Sequence, residues 1–350
     1  MSAARSGTEG HRRRSALLGL AVGAGLSWLA FRNVSPDALR QAVGGVGLGT
    51  LAAVAGLTLS QQALRTARQA VLLQPIAPGL GARRHLTVFF VGFLAIATFP
   101  ARLGEFVRPA LLQRSRGTPV AEGLAFVAAE RALDMLAVLF GLAWALGSAD
   151  IGRRAGSVAH DARPLLLAAA PALAVAFLAA IFRGEVLLAR LPRPAGGVRA
   201  RVHGALERFV GALSRLRSPR RLAVASALTV LHFACMVASA WWIAQALGLG
   251  GTLGPLACLG VLGLTMVGLA LPAPPGQVGV FEGSAVAATW VFGVTRDQAP
   301  GALAFALLLH GWPLAVHALA TAPILARDPA LWRELTRDAR READARNTRA

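Results

Sequence analysis

The sequence predicts an all-α fold, a polytopic integral membrane bundle of about six full spans plus two re-entrant hairpins. Three observations carry this reading. Hydrophobic residues make up 55% of the 350 positions and charged residues only 15%, against about 25% charged in a soluble domain, so the chain cannot clothe an aqueous surface. Long apolar stretches recur from end to end, as in a membrane protein. The basic residues are all arginine and gather in the polar segments between those stretches, which reads as topology signals.

That distribution also decides the meaning of the formal charge of +19. In a soluble protein such an excess would suggest a nucleic-acid partner. Here it reads as positive-inside loops with attraction to anionic lipid, and no nucleic-acid partner is expected. Cys235 and Cys258 lie within apolar segments without metal-ligand or disulfide spacing, so neither a metal site nor a cofactor is expected.

Taken in order, residues 1–14 form a basic cytoplasmic tail, and residues 15–31 an uncleaved first span, since no small-x-small cleavage site follows the apolar run. Residues 43–60 are apolar and continue into an amphipathic stretch to residue 73, with Arg65 and Arg68 nearly on one face and emerging into the interface. The apolar run 86–99 stops at Pro100. Its 14 residues reach only about 21 Å at 1.5 Å per residue, short of a hydrocarbon core of about 30 Å. Residues 120–146 are the next strong span, followed by a polar loop to residue 163 and a span at 164–182. Residues 183–221 hold ten arginines and make the firmest cytoplasmic assignment, with an amphipathic helix at 198–216. Spans follow at 222–247, 253–271, 280–294 and 299–326, then a cytoplasmic tail at 327–350.

Charge parity constrains how these runs cross. Residue 85 starts on the cytoplasmic side and the loop at 150–163 belongs outside, yet two apolar runs lie between. One must fail to cross, and the short run ending at Pro100 is the natural re-entrant hairpin. In the second half parity accepts either three crossings or one crossing plus a hairpin.

A shared interruption favours the second hairpin. TFPARLGEFVR at residues 98–108 and LPAPPGQVGVFEG at residues 271–283 each end an apolar run with proline, pass through glycine, and present one glutamate, Glu105 or Glu282, where helix resumes. Pro100 and Gly104 break the first; Pro274, Pro275, Gly276 and Gly279 break the second. Proline removes a donor and glycine tolerates unusual dihedrals, so the freed backbone groups must be buried in protein or line a wet cavity. Broken helices in matching positions point to a transport site at an inverted repeat; chance similarity is the other reading.

FPARLGEFVR at 99–108, AERALDML at 129–136 and LPAPPGQVGVFE at 271–282 together resemble the flippase-like transmembrane domain of lysylphosphatidylglycerol synthases and their stand-alone relatives. The resemblance runs from the first span to about residue 326. It implies an integral protein of the cell membrane, with both termini cytoplasmic, that moves polar lipids or lipid-linked groups between leaflets. By position, Arg102, Gly104, Glu105 and Arg108 match the first motif, Glu130, Arg131 and Asp134 the second, and Pro275, Gly276, Gly279 and Glu282 the third. Two departures stand out. Gln277 replaces the second glycine of a PGG-x-G pattern, and His310 stands where the last span often carries arginine. The soluble aminoacyl-transfer domain of the full-length synthases is absent from these residues, so lysyl-lipid synthesis is not expected.

An ionisable residue within a span costs at least about 2.5 kcal/mol on insertion scales, so such residues pair, line a cavity or serve function. Arg102 and Arg108 could clamp a lipid phosphate or act as topological anchors. Glu105, Glu130, Asp134 and Glu282 could bind a cationic headgroup moiety or a proton. Arg131 lies within reach of Asp134 at the three-residue interval, so this cluster could equally be a structural ion-pair network. Glu282 is either a substrate or proton site or the partner of a first-half arginine. His310 and His317 share a face seven residues apart; His310 is a proton-site candidate, with a packing histidine as the alternative.

The expected function is translocation of an anionic or aminoacylated polar lipid, without an enzymatic step. The sequence contains no lysine, which excludes a conventional phosphate-loop motor. Two rivals remain: a membrane partner for a separate lipid-modifying synthase or glycosyltransferase, and an enzyme using the intramembrane carboxylates for headgroup transfer.

Overall fold

The structure, a computed structural model, describes residues 23–28, 30–32, 34–98, 104–194, 196–271 and 273–328. Residues 23–28 and 30–31 are helical and belong to the first expected span. Helix α1, Pro36–Gly44, is opened by Ser35, whose hydroxyl accepts from the Ala38 N–H at 3.2 Å, with proline in the first turn where its missing N–H costs nothing. It bends by 77° into α2, Leu48–Leu73. The expected helix beginning at residue 43 is therefore broken by Gly44, Gly45 and Gly47, which give helix little support.

Helices α3, Ala82–Thr98, and α4, Val107–Arg116, follow. Then come α5, Val120–Gly147, α6, Ala149–Ala155, and α7, Ser157–Ala189. The expected polar loop before residue 164 is thus largely helical, because Ser148 and Gly156 allow two short re-starts and Pro164 falls in the second turn of α7. Helix α8, Gly197–Ser214, confirms the amphipathic helix of the Arg-rich segment; Ala212 and Leu213 are buried. Helix α9, Pro219–Ala246, is capped by Ser218, and α10, Pro255–Gly268, α11, Val280–Val291, and α12, Ala299–Arg327, complete the described helices.

Among the described residues, Ser157–Ala189, Pro219–Ala246 and Arg296–Arg327 are long and apolar enough to cross a membrane, and the bent α1–α2 pair is a fourth candidate. The core comes in two parts. One holds Leu72 and Leu73 of α2, Val88 and Val91 of α3, Leu111 and Leu112 of α4, residues 125–133 of α5, Ile181 of α7 and Ala225 of α9. The other holds Val54 of α2, residues 142–146 of α5, Leu166 of α7, Ala240–Ala244 of α9, and much of α10, α11 and α12. Helices α2, α5, α7 and α9 therefore run through both parts. The α3–α4 pair belongs to one end and the α10–α11 pair to the other.

Each of these pairs is a helical hairpin, and glycines fix both registers. Gly92 faces the Arg108 side chain and Gly104 lies directly on the Ala95–Ile96 backbone, so α4 runs back along α3. Gly260 faces the Phe292 ring and Gly268 faces Ser284, so α11 runs back along α10. The second reversal centres on Gly276 at φ 72° and Gln277 at φ 59°, the one described non-glycine residue with positive φ. A Cβ at Gly276 would lie 3.7 Å from the Ala97 carbonyl. The turn of one hairpin thus abuts the end of the other's first arm. Residues 23–28 pack over the second turn, Gly23 against Pro274 and Leu26 against Gly283.

Candidate functional site: a buried ion network between two hairpins

Polar side chains occupy the layer between the two core parts. On α5 the apolar clusters end at Leu133 and resume beyond Val138, and Asp134 falls between them. On α9 the gap between Ala225 and Ala240 holds Thr229 and His232, both 3% exposed. On α2 the gap between Val54 and Leu72 holds Thr58, Gln62, Arg65, Arg68 and Gln69. Each of these helices is 26 to 28 residues long, about 40 Å; the layer lies near the middle of α5 and α9 and in the C-terminal half of α2, where Arg68 stands five residues from the helix end.

Arg68 is the hub. Its guanidinium is 1% exposed and donates to Asp134 Oδ1 at 2.5 Å and Oδ2 at 3.3 Å, and to the Thr229 hydroxyl at 2.8 Å. Its Nε lies 3.8 Å from Glu130 Oε1. Glu130 accepts from Arg108 Nη1 at 2.5 Å, and Arg108 Nη2 donates to Gln69 Oε1 at 2.6 Å. Gln69 in turn donates to the His85 carbonyl at 2.8 Å. The Arg108 guanidinium also sits 4.7 Å above the Phe126 ring, which adds a cation–π contact. His232 Nε2 lies 4.0 Å from Asp134.

Local sequence explains how Arg108 reaches in. Gly92 on α3 has no side chain, and a Cβ there would collide with Arg108 Cγ and approach Cδ to 3.0 Å. The aliphatic stem of Arg108 occupies that space and carries the guanidinium onto α5. Gly123 allows a similar approach, with Pro109 Cα 2.9 Å from where its Cβ would be.

Arg131 pairs with Glu105 at 3.0 Å, not with Asp134; helical spacing permitted the Asp134 contact, but the Arg68 fork already occupies that carboxylate. Glu282 belongs to a second site. Its Oε2 accepts from the Gly279 N–H at 2.6 Å, capping α11, and its Oε1 pairs with His310 Nδ1 at 2.7 Å. Among the described residues the partner of Glu282 is thus a last-span histidine, and the pairing with a first-half arginine is not found there. His310 stacks on Phe281, ring centroids 4.3 Å apart. His317 does not join it: its Nδ1 meets Gln62 Nε2 at 3.0 Å and its Nε2 meets the Phe90 carbonyl at 3.1 Å.

The structure therefore brings together Arg108, Glu130 and Asp134, places Glu105 and Arg131 beside them as a pair, and sets Glu282 with His310 on the other hairpin. Pro274, Pro275, Gly276 and Gly279 form the second turn; Gly104 starts the return arm of the first. Arg102 and Pro100 lie outside the described residues. The sequence reading missed Arg68, Gln69 and Thr229 as members of the network. A signal existed: Gln62, Arg65 and Gln69 recur at helical spacing in direct continuation of the apolar residues 48–59. Among the described residues no cluster of three or more metal-ligating side chains occurs.

A model of the lysylphosphatidylglycerol synthase TM region matches residues 16–320. The chain belongs to this family. The match covers nearly the whole chain and includes all three motifs and both hairpins, so this is a membrane protein of a family linked to lipid handling. A comparison with functionally curated proteins finds no match.

Proposed function

We propose that this family member translocates an anionic or modified polar lipid between leaflets, the headgroup passing through the polar layer while the acyl tails stay in lipid. The observation that carries the reading is the Arg68–Asp134 and Arg108–Glu130 network, buried between the two apolar parts of the core and reached by the return arm of the first hairpin. Burying such a network costs several kcal/mol of desolvation per ion, and apolar packing would stabilise the fold as well or better. Its retention is explained if the charges exchange their partners with a headgroup: the guanidinium groups of Arg108 and Arg68 take the phosphate while Glu130, Asp134 and Glu105 take a cationic moiety or a proton.

In this reading there are six full crossings, the first span, α2, α5, α7, α9 and α12, with the α3–α4 hairpin entering from the cytoplasm and the α10–α11 hairpin from outside. The arginine-rich end, which carries Arg83, Arg84, Arg114, Arg116, Arg220 and Arg221, faces the cytoplasm of a cell membrane, as do both termini. Glu282 and His310 form the proton site of the outer hairpin. Membrane lipids are the partners, and no covalent step is assigned.

The test is reconstitution of the purified chain into vesicles, following the leaflet accessibility of labelled lipids with anionic, zwitterionic and aminoacylated headgroups. Faster exchange than in protein-free vesicles for at least one headgroup supports the reading. Background rates for every lipid, with a separate lipid-modifying enzyme mislocalised when the chain is deleted, would favour the scaffold instead; a new lipid species would favour an enzyme.

A further inference from the structure

We propose that Arg65 is an anion site for a singly charged phosphodiester headgroup; this rests on the transport reading and moves its phosphate contact from the hairpin arginines to α2. Arg65 lies one turn from Arg68 and is partly buried, yet its surroundings differ. Its guanidinium carbon stands 4.5 Å from the Phe93 ring centroid and 5.5 Å from that of Phe89. Its Nε is buried without a hydrogen-bond partner, as are those of Arg68 and Arg108, but the terminal nitrogens of Arg68 and Arg108 donate to Asp134, Thr229, Glu130 and Gln69. The charged groups nearest in effect are Asp134, Arg68, Glu130 and Arg131.

Both of those carboxylates are already engaged. Asp134 holds the Arg68 fork and Glu130 holds Arg108. Arg131 and Glu105 cancel one another, and Glu282 is paired with His310 on the other hairpin. Among the described residues this leaves the guanidinium groups of Arg65, Arg68 and Arg108 against the carboxylates of Glu130 and Asp134, an excess of one positive charge in the buried layer. A proton on His232 or His317 could only increase it. Phenyl faces soften that charge but supply no counter-ion, and an uncompensated buried ion is costly.

The missing partner is therefore a monoanion with two oxygens for a guanidinium fork, which describes a phosphodiester. A dianion would leave a net negative charge, and a zwitterionic headgroup would bring its own cation into a region that already repels one.

Native mass spectrometry of the full chain, released from detergent micelles holding equal phosphatidylglycerol and phosphatidylcholine, tests this. Wild type should retain phosphatidylglycerol about tenfold over phosphatidylcholine, equivalent to about 1.4 kcal/mol. Arg65→Gln should lose that preference and Arg65→Lys should keep part of it. Adding glycerophosphoglycerol, the same headgroup without tails, separates the two sources of the group: displacement of the lipid assigns recognition to the phosphodiester itself, and no displacement assigns it to the whole lipid. Arg65→Gln should melt no lower than wild type, because it removes an unpaired charge. Equal retention of both lipids by wild type, an unchanged preference in Arg65→Gln, or a loss of melting temperature as large as that of Arg68→Gln would overturn the proposal. The preference is read without transport, so a failure of lipid movement in vesicles would refute the transport reading and leave Arg65 standing.

Discussion

Arg68 on α2 grips both carboxylate oxygens of Asp134 on α5, at 2.5 and 3.3 Å, from a position 1% exposed. Two residues 66 apart in sequence thus join the last turns of α2 to the middle of α5. Breaking one side of a buried pair costs about 3–5 kcal/mol because the other charge is stranded. Arg68→Gln and Asp134→Asn should each destabilise the protein by that order, read as a lower unfolding temperature in detergent. Removing both should cost less than the sum of the two, and a double-mutant cycle showing strict additivity would contradict the pairing.

Gly92 is a positioning residue for Arg108. Gly92→Ala places a methyl where the Arg108 stem runs, and overpacking of this kind costs about 1–3 kcal/mol. Gly56, in the same kind of helical setting but with nothing within 4 Å of its Cβ position, is the control: Gly56→Ala should stabilise by about 0.5–1 kcal/mol. Unfolding curves for the two variants should move in opposite directions.

Gln277 sits at φ 59° in the second hairpin turn. Left-handed backbone costs an L-residue roughly 1–2 kcal/mol, so Gln277→Gly should stabilise by about 1 kcal/mol, and Gln277→Val should destabilise. Equal unfolding temperatures for all three would show that the turn relaxes to another conformation. The glycine of the related PGG-x-G pattern has its physical reason here.

Glu282→Gln keeps an oxygen to accept the Gly279 N–H while removing the charge that faces His310. The fold should survive, with an unfolding temperature near that of wild type. If protons pass at this pair, a pH gradient across vesicles should change the lipid rate of wild type and leave that of the variant unaltered; equal sensitivity in both would remove the pair from coupling.

Apolar periodicity and proline made the helices and both break points legible, because burial in lipid leaves a strong one-dimensional trace. Parity of charge pointed to the first hairpin, and Gly104 on the Ala95–Ile96 backbone is its physical form. What stayed hidden was pairing. Arg131 had Asp134 in reach along its own helix, but an arginine 66 residues away had better geometry, and helical spacing carries no record of a neighbour on another helix. Arg68 was read as interfacial for the same reason: an arginine near a helix end looks alike in sequence whether it meets water or a buried carboxylate. The glycines at 44, 45 and 47 were visible, and their bend depended on where α1 could pack.

The central claim is that the ion network is a path for headgroups and not glue. Arg68→Met combined with Asp134→Leu tests it most directly, because replacing a buried pair with apolar side chains is often neutral or stabilising, so fold and function separate. The expected result is a folded protein with wild-type unfolding temperature or higher and a lipid exchange rate in vesicles no faster than without protein. A folded double variant that moves lipid at the wild-type rate would contradict the account.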